Sequence, residues 1–150
     1  MSETVQITVY SIITDAVGEV DEMTLYTEAN YRKDTKKSYL MYEETEISGM
    51  ENTKTLLIYD GEQVQIKRFG KTESLLSIRL GEIVENHYNT PYGMFVMSTM
   101  GRRIDWYLED QLAIELAYSL DIQGERSEVR IKIDSKKVEN VEKCASEKGN

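Results

Sequence analysis

One cysteine, one proline and one histidine in 150 residues set the first limits on this chain. The lone Cys144 leaves no partner for an intramolecular disulfide and no thiolate set for zinc. A reducing compartment suits that usage, and the chain is read as cytoplasmic. Met1-Ser2-Glu3-Thr4 is acidic and precedes no basic-then-apolar stretch, so no secretory signal is expected. Nor does any apolar run approach the roughly 18–20 residues that a membrane-spanning helix needs, so no membrane association is expected.

Positive charge is scarce as well. Eighteen Lys and Arg stand against 27 Asp and Glu, a net charge of −9. Nucleic-acid binding rests on neutralising phosphates with Lys and Arg, so this balance argues against nucleic acid as a general partner. Net charge is a sum, and a local basic patch remains compatible with it. The sequence has no P-loop, no dinucleotide glycine fingerprint, no His-Glu-x-x-His and no nucleophile elbow, so no cofactor is expected.

What is present is alternation. Val5, Ile7, Val9 and Ile13 share one parity; Met23, Leu25, Thr27, Ala29 and Tyr31 share another. Ser38 to Ile47 reads as a third strand, and Lys54–Tyr59, Gln63–Phe69, Ser74–Leu80 and Ile83–Asn89 continue the series. Met94–Met100 and Ile104–Leu108 read as separate strands. The alternation is strongest in Leu112, Ile114, Leu116, Tyr118, Leu120 and Ile122, and Val129, Ile131 and Ile133 close the series. Period two over such runs is the mark of half-buried strands. Asp60-Gly61 between apolar runs is a hairpin signal, and Gly18, Gly70, Gly81 and Gly124 punctuate other turns.

Short strands at this spacing predict an all-β domain over residues 1–135. Its expected form is a single antiparallel, mostly up-and-down β-barrel of about 8–10 strands. Closure would remove the exposed edges of so large a sheet. Residues 136–150 are polar and read as a frayed or weakly helical tail.

The polar residues that interrupt this pattern are the candidates for chemistry. Arg68 has the parity of Val64 and Ile66, so it points inward or lies at a barrel mouth. A buried arginine needs a carboxylate or several carbonyls, and by parity Glu43, which follows Tyr39 and Met41, and Glu85 are its candidate partners. The plainer role is an ion pair closing one barrel end. The sharper one is an anchor for an anionic head group, because guanidinium presents a planar fork to carboxylate or phosphate.

Ten tyrosines are present, and Tyr39, Tyr88, Tyr92, Tyr107 and Tyr118 are the ones expected to line a cavity if there is one. Met94, Met97 and Met100 read as adaptable filler. A hydrolytic site would have to use His87, with Glu85 on the same strand face and no activated serine in view. Glu44 and Glu46 share a face, but two carboxylates fall well short of the roughly six to eight oxygens that calcium takes, so no metal is expected. His87-Tyr88-Asn89-Thr90-Pro91-Tyr92-Gly93 holds the only histidine and the only proline. Its Pro and Gly suit the second and fourth places of a turn, so it is read chiefly as a corner between two strands.

Several motifs in order resemble the YwiB-like family of small bacterial proteins. They are Tyr42-Glu43-Glu44, Thr53-x-Thr55, Val64-x-Ile66-x-Arg68-x-Gly70, Tyr88-x-Thr90-Pro91-Tyr92-Gly93 and Leu116-Ala117-Tyr118-Ser119-Leu120. The resemblance implies a calycin-like (lipocalin-like) β-barrel and a central cavity; it brings no assigned activity and no catalytic residues. Two roles are expected to compete, and catalysis ranks below both. One is a barrel whose interior binds a small anionic or amphipathic ligand, with Arg68, Glu43, His87, Tyr88, Tyr92 and Tyr118 as candidate contacts. The other is a structural or interaction protein with a filled core that acts through its outer surface or as a homodimer.

Overall fold

The computed structural model describes residues 2–44, 52–70, 73–108 and 111–135, and the tail expected at 136–150 lies outside them. Ten antiparallel strands form one sheet. In the first half these are β1 (Ser2–Thr14), β2 (Val20–Lys33), β3 (Ser38–Glu43), β4 (Thr53–Tyr59) and β5 (Gln63–Gly70). The second half supplies β6 (Ser74–Arg79), β7 (Ile83–Thr90), β8 (Gly93–Leu108), β9 (Leu112–Ile122) and β10 (Glu125–Ser135). No helix occurs among the described residues.

The sheet order is β6-β5-β4-β3-β2-β1-β10-β9-β8-β7. Consecutive strands therefore pair, except β6 with β7, and a single long-range pairing, β1 with β10, joins the two halves of the meander. The sheet curls until its two end strands, β6 and β7, face each other, giving a nearly closed barrel.

Local chemistry sets the turns. Asp15, Asp34 and Asp60 each open a connection by accepting two backbone N–H bonds a few residues on. An aspartate holding its own downstream amides is a turn built by the side chain. The Thr90-Pro91-Tyr92-Gly93 corner is a tight connection in which Thr90 pairs with Gly93, as its sequence predicts.

β8 departs from the expected pattern. The two strands read from Met94–Met100 and Ile104–Leu108 are one 16-residue strand. A register shift between Gly101 and Arg103 reverses its parity, so Met97 and Thr99 face inward before the bulge and Ile104 and Trp106 after it. One extra residue is enough to flip every later side chain.

The seam between β6 and β7 is closed by side chains. Among the described residues the backbones meet there through isolated bridges alone, Arg79 with Glu82 across the turn and Leu80 with Gly101 of β8. At the centre of the seam the Ser77 N–H donates to Asn86 Oδ1 at 3.0 Å, and the Thr99 hydroxyl donates to the Ser77 carbonyl. Ser77 is in register with Gln65 of β5 on its other side, and its seam-facing backbone groups are thereby satisfied. Gly101 permits the close approach: a Cβ there would lie 2.5 Å from the Arg79 carbonyl oxygen.

The interior is occupied. Among the described residues, twenty buried apolar side chains from every strand but β7 form one cluster, with Leu40, Val64, Ile78, Leu116 and Ile133 fully enclosed. Burial of each large aliphatic is worth roughly 1.5–3 kcal/mol, against about 0–1 kcal/mol for an exposed ion pair. The packed lumen, not the charged exterior, holds the barrel together.

Candidate functional site

Across β3, β4 and β5 the register lines up Tyr42, Thr55 and Arg68 as successive partners. All three lie on the inner face, near the end of the barrel where β3 leaves the sheet. Arg68 continues the inward row of Val64 and Ile66 toward that end, and its side chain keeps 20% of its surface exposed.

The carboxylate facing Arg68 is Glu44, not Glu43 or Glu85. On β3 the inward residues are Ser38, Leu40 and Tyr42, and Glu44 extends that row beyond the last strand residue. Its backbone N–H donates to the Thr53 carbonyl at 2.8 Å, which turns the side chain inward. Glu44 is 3% exposed; its Oε2 accepts a 2.5 Å hydrogen bond from the Thr55 hydroxyl and lies 3.9 Å from Arg68 Nε. That nitrogen is shielded from solvent and has no hydrogen-bond partner among the described residues. Arg68 is therefore electrostatically compensated without being saturated as a donor.

Two buried phenols share this environment. Burial, reinforced by the Glu44 charge and opposed by Arg68, pushes the Tyr42 hydroxyl well above its ordinary pKa. Burial raises Tyr118 in the same way, again opposed by Arg68. Both stay neutral across the physiological range.

The other candidates separate. His87 is exposed, because Asn86 takes the inward position on β7. It nevertheless lines a depression of about 420 Å³ with Arg68, Lys67 and Glu73, so Arg68 and His87 do come together. Glu43 and Glu85 face solvent. Tyr92 sits on the corner, 93% exposed, Tyr39 lies beneath the Arg32 guanidinium and Tyr107 is exposed. The side chain of Tyr88, like Glu46 as a whole, lies outside what is described. The arginine's inward parity was open to sequence reasoning. From sequence, Glu44 is weighed only as a metal ligand beside Glu46, Thr55 enters only as part of a family motif, and Asn86 and Thr99 are not singled out, although each is a polar residue in an inward row.

Among the described residues no three His, Cys, Asp or Glu side chains converge as a cation site, and no helix is long and apolar enough to cross a membrane. The family described as "Domain of unknown function (DUF1934)" matches residues 7–134. A solved structure titled "Crystal structure of ywiB protein from Bacillus subtilis" superposes with a TM-score of 0.76 at 20% identity, over 90% of this chain and 93% of that one. The likeness extends the barrel architecture to that protein. No curated protein matches the chain.

Proposed function

The chain belongs to the DUF1934 family, and on that footing we propose that it is a cytoplasmic binding module for a small anionic, amphipathic molecule. The ligand is taken at the Arg68 end of the barrel, and the filled lumen argues against a deep central cavity. One observation carries this reading: an arginine drawn into the barrel end, its carboxylate partner engaged by Thr55, still has unspent donor capacity beside an open depression. A guanidinium so placed suits a carboxylate or phosphate head group. Phe69 and Leu75 on the rim offer apolar contact for the tail, and Lys67 and His87 stand beside them.

Native mass spectrometry of freshly purified protein, followed by calorimetric titration with dodecanoate and dodecyl phosphate, tests the proposal. Saturable binding that weakens at least tenfold in Arg68→Gln supports it. A clean unliganded mass with no binding of either amphiphile overturns it.

A second reading rests on the outer face of β7 and β8. Met94 and Val96, 62% and 46% exposed, form a small apolar patch on the outer face of β8, with Ile83 further along the same face beyond Glu85 and Ser98. That face suits a homodimer. Light scattering should then give a dimer that Val96→Asp dissociates, whereas a strict monomer at high concentration removes this reading.

A further inference from the structure

The opposite end of the barrel gathers lysines, hydroxyls and an indole N–H around two aspartates. It is framed by the β2–β3 turn at residues 34–37, the β4–β5 turn at residues 60–62, and the last part of β8. Between them lies a depression of about 320 Å³, at the lower end of the size of small-molecule sites.

Its floor is aromatic. The rings of Tyr59 and Trp106 stack at 5.1 Å with 17° between their planes. Tyr31, only 5% exposed, lines the same depression. The Tyr31 hydroxyl and the Trp106 indole N–H are both shielded from solvent and have no hydrogen-bond partner among the described residues. Buried polar atoms in folded proteins are nearly always paired, so two such donors in one place call for an explanation.

The rim adds positive charge. Strand register places Lys33 opposite Ser38, and Ser38 opposite Tyr59, so the lysine ends the inward row at the mouth. Lys36 and Lys37 lie on the adjoining turn. The two carboxylates on this rim hold the turns through their Oδ1 atoms. Asp34 accepts the amides of Lys36 and Lys37, and Asp60 accepts those of Glu62 and Gln63. In a chain of net charge −9, this rim carries three lysines against two aspartates.

We propose that this end binds a small organic oxyanion, a carboxylate or a phosphate, held by the Tyr31 hydroxyl, the Trp106 indole N–H and the Lys33 ammonium. The stacked aromatic pair supports an attached ring or apolar group. An indole N–H can only donate and an ammonium has no acceptor, so the set selects an anion over a neutral or cationic molecule. The site is separate from Arg68 and stands without it.

Trp106 is the only tryptophan, so its emission reports on the site directly. The full chain is titrated with sodium benzoate and with phenyl phosphate, using sodium chloride at matched ionic strength as the blank. The expected result is a saturable emission change with at least one probe. Benzoate alone identifies a carboxylate site, phenyl phosphate alone a phosphate site, and both together a general oxyanion site. The midpoint should weaken at least tenfold in Lys33→Gln and in Tyr31→Phe, and stay unchanged in Arg68→Gln. A response that never saturates, or one with the same midpoint in Lys33→Gln, overturns the proposal. Lys33 is exposed, so that variant decides the matter even if Tyr31→Phe fails to fold.

Discussion

Asn86 on β7 receives the backbone N–H of Ser77 on β6, and this side-chain bond stands where a sheet ladder would otherwise run. Asn86 is buried, so removing its carbonyl oxygen leaves the Ser77 amide without a partner. Asn86→Leu should lower stability by about 1–3 kcal/mol, the usual cost of an unsatisfied buried donor. Asn86→Asp retains an acceptor and should cost less near neutral pH. Urea denaturation measures both, and amide exchange at Ser77 should accelerate in the leucine variant.

A double-mutant cycle on Glu44 and Arg68 separates the worth of the pair from the cost of breaking it. Glu44→Leu strands a guanidinium beside the apolar core, and about 3–5 kcal/mol is the range for breaking a buried pair. Partial exposure of Arg68 places the expected loss at the lower end of that range. Adding Arg68→Met should recover most of it, as replacing both members of a pair by apolar groups is often neutral. Two losses that simply add in denaturant titrations would show that the groups are not coupled.

The two buried phenols give the barrel an alkaline limit. Their pKa values are raised in the folded state, so the unfolded chain ionises them first. The stability tied to the neutral forms is complete below the ordinary tyrosine pKa of 10.0. It falls as pH rises from there toward the folded values. Each phenol should contribute a slope approaching 1.4 kcal/mol per pH unit. Thermal melts from pH 8 to 11.5 should show this decline, and Tyr118→Phe should make it shallower.

Gly101 allows the β6–β7 turn to lie against β8. Gly101→Ala would drive a methyl into the Arg79 carbonyl and the Ile78 side chain. Overpacking of this kind costs roughly 1–3 kcal/mol, and the loss should appear as a lower melting temperature. Gly61→Ala, where a Cβ meets open space, tests the separate cost of positive φ.

Much of the barrel was legible because alternation depends only on which residues face the core. Leu112 to Ile122 and Val129 to Ile133 alternate cleanly, and both are strands with those faces inward. β8 was divided because its bulge reverses the parity, so each half looks complete by itself. β3 misled for a different reason. Tyr39 and Met41 are as apolar as Leu40 and Tyr42, and nothing in the segment alone says which pair faces inward. The wrong parity pointed to Glu43 when Glu44 is the residue that meets Arg68. The seam was not legible at all, since Asn86 and Thr99 acquire their roles only when two distant strands meet.

The pairing of β1 with β10 also dictates an order of events during synthesis. Ile7 lies opposite Ser135, so the first strand waits for nearly the whole described chain before one of its edges is covered. The hairpins from β2 to β6 can form while translation continues, but the cylinder cannot shut until β10 has left the ribosome. Contacts of such sequence separation are slow to form. In the interval, a nascent chain with a bare β1 edge is exposed to pairing with its neighbours.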